Sequence, residues 1–464
     1  MRRISQVLGR WGFIASITAL AYFPYNGGTA MGAVIPVDPS NYLGRIAALR
    51  PGDTLVLSPG NYEGLPVYDL NGTPSSPIVI TGPDVGPRPV ILGTSGSNTV
   101  RLRNASYVTI RNLEVDCRNL GGDGVNSQGI THHITIDNLY IHAFSDDQGT
   151  VGIATNQAPV WNWIIRNNVI ADGGTGMYLG NSDGNQPFIA GTIENNLFYD
   201  TIGYNVQIKH QNPRPTDVPG MPTGDSRTII RNNVFSKSAN SSTGALVRPN
   251  LLVGHFPVSG AGTNDVYEIY GNFFYQNPVG ESLFQGEGNI ALYNNLFFNS
   301  LGPAVVVQPH NDVPKMVRIF NNTIVARDSG IRVSGGSPDY QQKVIGNAVF
   351  SATPISASDQ AGNIVDTYAN ASNYLANPFG SPGNLDLYPL AGKLTGTSLD
   401  TATFNTFTEW DRDFNRKIRV GYRYRGAYDG EGRNPGWLPT LERKPAGGSA
   451  VNVYPSSPTN LRVQ

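Results

Sequence analysis

The segment Ile165-Arg166-Asn167-Asn168-Val169 decides the fold, because close variants of it recur along the chain. Each variant begins with an apolar residue and has Asn in the turn; in all but the first two, this Asn is preceded by Asn or Gly, and nearly all end in a second apolar residue. Aligned on one Asn per turn, the variants fall at Asn112, Asn138, Asn168, Asn196, Asn233, Asn272, Asn295, Asn322 and Asn347. The successive spacings are 26, 30, 28, 37, 39, 23, 27 and 25 residues. A period in the twenties with occasional insertions is typical of a solenoid.

Short apolar β-runs follow and precede each turn, and none of them can bury its apolar face alone. Stacked coils share one core and pair their backbones about 4.8 Å apart. Asn tolerates the left-handed conformation of a tight turn, and stacked Asn amides can form a hydrogen-bonded ladder. The repeat therefore predicts an all-β fold, a single-stranded right-handed parallel β-helix of about nine coils, in which the turn Asn residues have a structural role.

Composition agrees with many short strands and tight turns. The chain has 464 residues, of which 14% are charged and 54 are Gly, and its net charge of −1 gives no reason to expect a nucleic-acid partner. The only cysteine, Cys117, cannot form an intrachain disulfide, and we expect it to be buried. Residues 1–30 combine early arginines, an apolar run and small residues, which predicts a signal peptide, a secreted or periplasmic protein and no membrane attachment after cleavage.

The N-terminal part carries a family resemblance. Residues 46–62 contain Arg50-Pro51-Gly52-Asp53-Thr54, and Gly72-Thr73 leads to Pro77-Ile78. These segments resemble the opening of pectate-lyase-like proteins, which implies a short N-terminal helix that caps the first coil. We therefore expect the β-helix to span residues 34–428, followed by an irregular Pro- and Gly-rich tail over residues 429–464.

A row of polar side chains marks a candidate site on the strand that follows each turn. Alternation places Val206 and Ile208 inside, so Gln207 and Lys209 point outward. The same reasoning takes residues 244–248 as the next strand and places Arg248 outward beside Lys209. We expect the substrate-binding residues to be Tyr178, Asn181, Gln207, His210, His255, Gln308 and His310.

Two insertions support this location. The two longest coils are those of Lys209 and Arg248, and the extra segments, residues 211–227 and 249–265, are expected to follow the basic residues directly. Long loops beside one outer row would form a cleft. Because Arg248 would lower the pKa of a neighbouring ammonium, Lys209 is a candidate general base.

The Lys209–Arg248 pair resembles that of the chondroitinase B and alginate lyase family. The resemblance implies β-elimination of a uronate polysaccharide, with Lys209 as base and Arg248 as acid or electrostatic helper. It also implies a calcium ion, for which Glu281, Glu287 and Asp183 are the candidate ligands, and no other cofactor. We expect a monomer with an acidic polysaccharide as substrate. A glycoside hydrolase, a C5-epimerase and a carbohydrate-binding adhesin on the same fold remain open.

Overall fold

The computed structural model describes residues 32–445, and the predicted signal peptide and residues 446–464 of the predicted tail lie outside this range. The described chain winds through three long parallel sheets in a fixed order, which makes it a right-handed parallel β-helix, as predicted. No helix in the described part is long and apolar enough to cross a membrane.

The three sheets are numbered in the order in which each coil visits them. The first has 15 strands: Val34–Val37, Thr54–Leu57, Ile78–Thr81, Ser106–Arg111, Thr131–Asp137, Val160–Trp161, Ile164–Arg166, Phe188–Ile189, Thr192–Glu194, Arg227–Arg231, Val266–Tyr270, Ile290–Tyr293, Val317–Phe320, Gln342–Ile345 and Gln360–Ala361. The second has 12: Asn61–Glu63, Val90–Leu92, Glu114–Asp116, Tyr140–His142, Val169–Gly173, Leu197–Thr201, Val234–Lys237, Phe273–Tyr275, Leu296–Asn299, Thr323–Ala326, Ala348–Phe350 and Ile364–Asp366. The third has 11: Leu65–Tyr68, Val100–Arg103, Val125–Ser127, Val151–Thr155, Thr175–Leu179, Val206–Ile208, Leu251–Val253, Phe284–Gly286, Val305–Val307, Ser329–Val333 and Thr353–Ser356. Strands Leu375–Asn377 and Asp386–Pro389 form an antiparallel pair, and the helices are Tyr42–Ile46 and the 3₁₀ turns Gly244–Leu246 and Tyr368–Asn373.

The prediction of about nine coils was wrong, because every sheet stacks more than nine strands. The first three strands of the first sheet, up to Ile78–Thr81, come before the first Asn turn of the sequence. The last, Gln360–Ala361, belongs to a short coil that follows Asn347. The repeat counts only the coils that carry its Asn, so it misses coils at both ends.

Each Asn turn has two neighbouring positions with different roles, one in the backbone turn and one in the buried ladder. The first residue of each pair, such as Asn167 or Asn195, has a positive φ, and Gly271 and Gly346 occupy that position in other coils. The second residue is fully buried and forms the ladder, in which Asn168 Nδ2 donates to Asn196 Oδ1 at 2.9 Å. Further rungs of 3.0–3.1 Å join Asn196, Asn233, Asn272, Asn295, Asn322, Asn347 and Asn363 in sequence.

The structural role of the Asn residues is therefore confirmed, but two of the aligned positions were wrong. Asn112 and Asn138 occupy the positive-φ position, and the buried position beside each holds Leu113 or Leu139. Both Asn side chains still stack outside the core, where Asn138 Nδ2 donates to Asn112 Oδ1 at 2.8 Å. The single alignment merged two positions that differ in burial and in conformation.

Buried aromatic rings continue the stacking inside the coils. Phe198, Phe235, Phe274 and Phe297 lie one above another, with centroid separations of 5.1, 4.5 and 4.5 Å. Cys117 is buried and free, as predicted. Close packing of identical rings in successive coils makes the core continuous along the axis.

Residues 429–445, which we call the strap, lie along the outside of the stack. Trp437 packs edge-on to Phe273 at a centroid distance of 6.2 Å. The buried Lys444 Nζ donates to the carbonyl oxygens of Gly271 and Phe414, both at 2.8 Å. The strap is thus attached to the Asn turns by buried contacts.

Candidate functional site

A cleft of about 360 Å³ lies on the outer face of the third sheet. Its walls carry basic, acidic and amide side chains, with one tyrosine at the side. The lining residues are Tyr204, Gln207, Lys209, His210, Val247, Arg248, Pro249, Leu252, Val253, Gly254, Glu281, Gln285, Gly286, Glu287, Gln308, His310 and Asn311. This set includes both predicted catalytic residues.

Strand alternation places the floor of the cleft. Val206 and Ile208 are fully buried in the core, so Gln207 between them faces outward, as predicted. Gln207 pairs with Leu252 in the next strand, and Leu252 pairs with Gln285. The floor is therefore a row of amide side chains interrupted by one apolar residue.

The neighbouring outward row contains Lys209. Because Ile208 pairs with Val253 and Gly286 pairs with Val307, this row continues from Lys209 through Gly254 and Glu287 to Gln308. The predicted alignment of Lys209 with Gln308 is therefore confirmed by the register.

Gly254 lies against the backbone of the Lys209 strand, where a side chain would not fit. A Cβ atom at Gly254 would lie 2.3 Å from the His210 nitrogen and 2.6 Å from the Lys209 carbonyl carbon. Such contacts are far below van der Waals separation, so no larger residue fits without moving the Lys209 backbone. Glycine is therefore required at this position, next to the backbone of Lys209 and His210.

The predicted position of Arg248 on an adjacent strand was wrong. Residues 244–246 form a 3₁₀ turn, and the strand of this coil is Leu251–Val253. Pro249 follows Arg248 directly and has no N–H for a strand ladder, so a strand that contained Arg248 could not continue through residue 249. The extra residues of this coil consequently lie on both sides of the strand, and not only after Arg248 as predicted.

The loop nevertheless returns Arg248 to the cleft. Its guanidinium donates from Nη1 to the carbonyl oxygens of Ala245 and Val247 at 3.0 and 2.8 Å. The guanidinium carbon lies 5.6 Å from the centre of the Tyr204 ring, within the range of a cation–π contact. A loop, rather than the sheet, thus supplies the second positive charge.

Lys209 is half-buried, and its environment favours the neutral amine. Burial lowers the pKa of Lys209, and the positive charge of Arg248 lowers it further. The Lys209 Nζ atom lies 5.7 Å from the centre of the Tyr178 ring. The coupling to Arg248 that the sequence predicted is therefore present, although the backbone geometry differs.

The histidines form a second group at one end of the cleft. Burial lowers the pKa of His210, Lys209 and His310 lower it further, and Asp183 opposes them. His255 is buried outside the lining, and its Nε2 lies 3.9 Å from an Asp312 carboxylate oxygen. His210 and His310 face the cleft, while His255 lies beside them.

Of the remaining predicted binding residues, Tyr178 and Asn181 lie beside the cleft rather than in its lining. Tyr178 pairs with Gln207 in the register and shares a short contact of 2.5 Å with the Ser182 hydroxyl. Asn181 Nδ2 donates to the Asn156 carbonyl at 3.0 Å, so its side chain holds a turn.

The three predicted calcium ligands already have other partners. Glu287 is buried and accepts backbone N–H bonds from residues 310–312. Glu281 accepts bonds from the backbone and hydroxyl of Ser282, and Asp183 accepts from the Asn185 backbone. Within residues 32–445, no three His, Cys, Asp or Glu side chains group closely enough to hold a metal ion. All three carboxylates are thus engaged by hydrogen bonds within the protein, and calcium binding by them stays a prediction.

Tyr204, Gln285 and Asn311 line the cleft but were not predicted as site residues. Tyr204 lies just before the strand of Lys209, and burial raises the pKa of its hydroxyl while Arg248 opposes the shift. The sequence shows that Tyr204 lies five residues before Lys209, but it does not show the contact of Tyr204 with the Arg248 loop. Gln285 occupies the same outward row as Gln207, so strict alternation would have identified it.

The structure resembles several solved parallel β-helix proteins at low sequence identity. The pectate lyase Pel9A has a TM-score of 0.46 and 14% identity over 87% of this chain and 97% of its own. An alginate lyase from Paenibacillus sp. str. FPU-7 has a TM-score of 0.37 and 16% identity over 72% and 99% of the two chains. The A-module of the Azotobacter vinelandii mannuronan C-5 epimerase AlgE6 has a TM-score of 0.43 and 16% identity over 68% and 90%.

These neighbours are of the class that the sequence resemblance predicted. No protein-family model matches the sequence, and the comparison with curated proteins also gave no match.

Proposed function

We propose that this protein is a carbohydrate-active enzyme, most specifically a polysaccharide lyase that acts on a uronate-containing chain. The observation that carries the proposal is a half-buried lysine beside an arginine in a polar cleft. Burial and Arg248 both lower the pKa of Lys209, which favours a neutral amine able to accept a proton. The positive charges of the cleft also favour an acidic substrate.

In the proposed reaction, the neutral Lys209 Nζ removes the C5 proton of a uronate residue. The electron pair of the C5–H bond forms the C4–C5 double bond, and the C4–O4 glycosidic bond breaks. Gln207 and Gln285 on the floor, and Gln308 in the row of Lys209, provide amide donors and acceptors to hold the sugar.

Arg248 stabilises the negative charge that develops on the uronate. A guanidinium does not lose its proton in proteins, so Arg248 acts electrostatically and not as the acid. The leaving oxygen takes its proton from solvent or from the Tyr204 hydroxyl, which lines the same cleft. Export is part of this proposal, because residues 1–30 have the composition of a signal peptide.

Glycoside hydrolysis is the second candidate, because two carboxylates, Glu281 and Glu287, line the cleft. Such hydrolysis commonly uses a pair of carboxyl groups. Three consecutive backbone N–H groups hold Glu287, however, and this favours a structural role for it.

The test is incubation with a panel of acidic polysaccharides, with two readouts. A lyase produces new reducing ends together with ultraviolet absorbance from the unsaturated uronate. Reducing ends without absorbance would indicate a hydrolase. Deuterium incorporation at C5 without chain shortening would indicate an epimerase, and retention on a glycan column without turnover would indicate a binding protein.

The matched variants are Lys209→Met and Lys343→Met. We expect Lys209→Met to abolish turnover and Lys343→Met, on the first sheet, to retain it. Full activity in Lys209→Met would refute the assignment of the base.

A further inference from the structure

A buried lysine that the proposed reaction does not use lies directly beneath the arginine loop. Lys237 ends the strand Val234–Lys237 of the second sheet and is 6% exposed. Its Nζ donates to the Arg248 carbonyl oxygen at 2.8 Å. Burying a lysine head group costs free energy whether it is charged or neutral, so its place beneath this loop needs a reason beyond filling space.

Asn277 contacts the same carbonyl from the next coil. Its Nδ2 donates to the Arg248 oxygen at 3.0 Å and to Asn250 Oδ1 at 3.1 Å. Asn250 is also fully buried, and its carbonyl accepts the Asn205 and Val206 backbone N–H groups, both at 3.0 Å. The arginine is therefore held at its backbone, next to the strand that leads into Lys209.

We propose that Lys237 is a positioning residue which, together with Asn277, anchors the Arg248 carbonyl and so holds the guanidinium at the cleft beside Lys209. The anchor is needed because Arg248 lies in a loop. Within residues 32–445, the hydrogen bonds of its guanidinium go to nearby carbonyls of its own loop, and its ring contact is with Tyr204. Strand register cannot fix the arginine, so its place depends on what fixes its backbone.

The charged groups around Lys237 are Glu281 and Arg248. Burial lowers the pKa of Lys237 to about 7; Glu281 opposes this shift by favouring the ammonium form, and Arg248 adds to it. A neutral amine still donates an N–H, so the anchor persists at alkaline pH. Lys237 is then largely uncharged, and its effect on Lys209 comes from the position of Arg248 and not from its own charge.

The catalytic role of this anchor rests on the proposed function, but the effect of Lys237 on Lys209 can be tested without turnover. Full-length protein is labelled with an amine-acylating reagent at a series of pH values, and mass spectrometry follows modification of Lys209. We expect the midpoint in the native protein to lie below 10.5, the ordinary value for lysine. In Lys237→Met, the midpoint should rise toward 10.5, because Arg248 is no longer held nearby.

Two comparison variants make the result specific. Arg248→Met should raise the Lys209 midpoint in the same way. Lys444→Met removes a lysine that is also buried and bonded to carbonyls but belongs to the strap, and it should leave the midpoint unchanged. If Lys237→Met does not fold, Lys237→Gln, which is shorter and does not reach the carbonyl, is measured instead.

An unchanged Lys209 midpoint in folded Lys237→Met would overturn the proposal, even if its melting temperature fell. With an active substrate, Lys237→Met should lower kcat by about 10- to 100-fold, the cost of a misplaced catalytic group. It should also move the acid limb of the pH–rate profile to higher pH. If neither the native protein nor any variant shows lyase activity but the Lys209 midpoints shift as expected, the lyase proposal is refuted and the positioning role of Lys237 stands.

Discussion

Replacing Asn233 by Ala removes one rung from the middle of the buried ladder. The Asn233 Nδ2 atom donates to Asn272 Oδ1 at 3.0 Å and to the Ile193 carbonyl at 2.9 Å. Its Oδ1 accepts the backbone N–H and the side-chain amide of Asn196, both at 3.0 Å. All four hydrogen bonds lie in the core and disappear in the alanine variant.

The magnitude follows from the groups that lose a bond. The Asn196 amide still donates to the Ile165 carbonyl at 2.9 Å, and Asn272 Oδ1 still accepts the backbone N–H of residue 233. The Ile193 carbonyl and the Asn196 N–H lose their ladder bonds, and each buried loss costs about 1–3 kcal/mol. The free energy of unfolding should therefore fall by about 2–6 kcal/mol, a large part of a usual total of about 5–15 kcal/mol.

Urea unfolding followed by circular dichroism measures this change, with Asn195→Gly as the control. Asn195 occupies the positive-φ position, where Gly271 and Gly346 stand in other coils, so glycine there should change stability by less than about 1 kcal/mol. The Lys209 labelling profile of folded Asn233→Ala should equal that of the native protein. Equal stability of the two variants would refute the ladder argument, and a selective change at Lys209 would show that the ladder affects the cleft.

Three further outcomes follow from the described contacts. Turnover should rise with pH as Lys209 loses its proton, with a midpoint below 10.5, and a flat profile through the alkaline range would contradict a lysine base. Burial lowers the pKa of both His132 and His133, so the folded state binds fewer protons than the unfolded state as the pH falls. The free energy of unfolding should therefore be greatest above about pH 6.5 and decrease below that pH. Thermal melts from pH 7.5 to 5 test this, and His132→Gln/His133→Gln should show a weaker dependence. Arg214 and Asp265 form a buried ion pair with an N–O distance of 2.6 Å. Arg214→Met leaves the Asp265 carboxylate without its partner, so the free energy of unfolding should fall by about 3–5 kcal/mol. An unchanged denaturation midpoint would show that other groups stabilise Asp265.

The fold could be predicted because the Asn turn is a local signal repeated many times. Each occurrence needs only a short segment, and burial and φ select the same residue types in coil after coil. The outward direction of Lys209 was equally accessible, since Val206 and Ile208 alternate cleanly around Gln207. Both the coil period and the alternation within a strand depend on residues that are close in sequence, so they can be predicted from the sequence alone.

The position of Arg248 could not be predicted in the same way. Ala245 and Val247 alternate as well as Leu251 and Val253 do, so the local pattern allows two different strands. Pairing with Val206–Ile208 selects the second, and that is a contact between distant segments. The partners of Glu287 are similarly remote, because its carboxylate binds backbone N–H groups more than twenty residues away. The sequence shows that Glu287 lies in the row of Lys209, but it does not show these backbone partners.

The strap changes how this solenoid should fold. Coils of a solenoid contact mainly their neighbours, so such chains can unravel from an end. Here Arg443 bonds to Asn138, 305 residues earlier, and Lys444 bonds to Asn232, 212 residues earlier. These contacts give a locally connected stack a long-range closure, which forms slowly because a long loop must close first. During synthesis, these strap contacts can therefore form only after residues 443 and 444 have left the ribosome, which is after all the coils have been made.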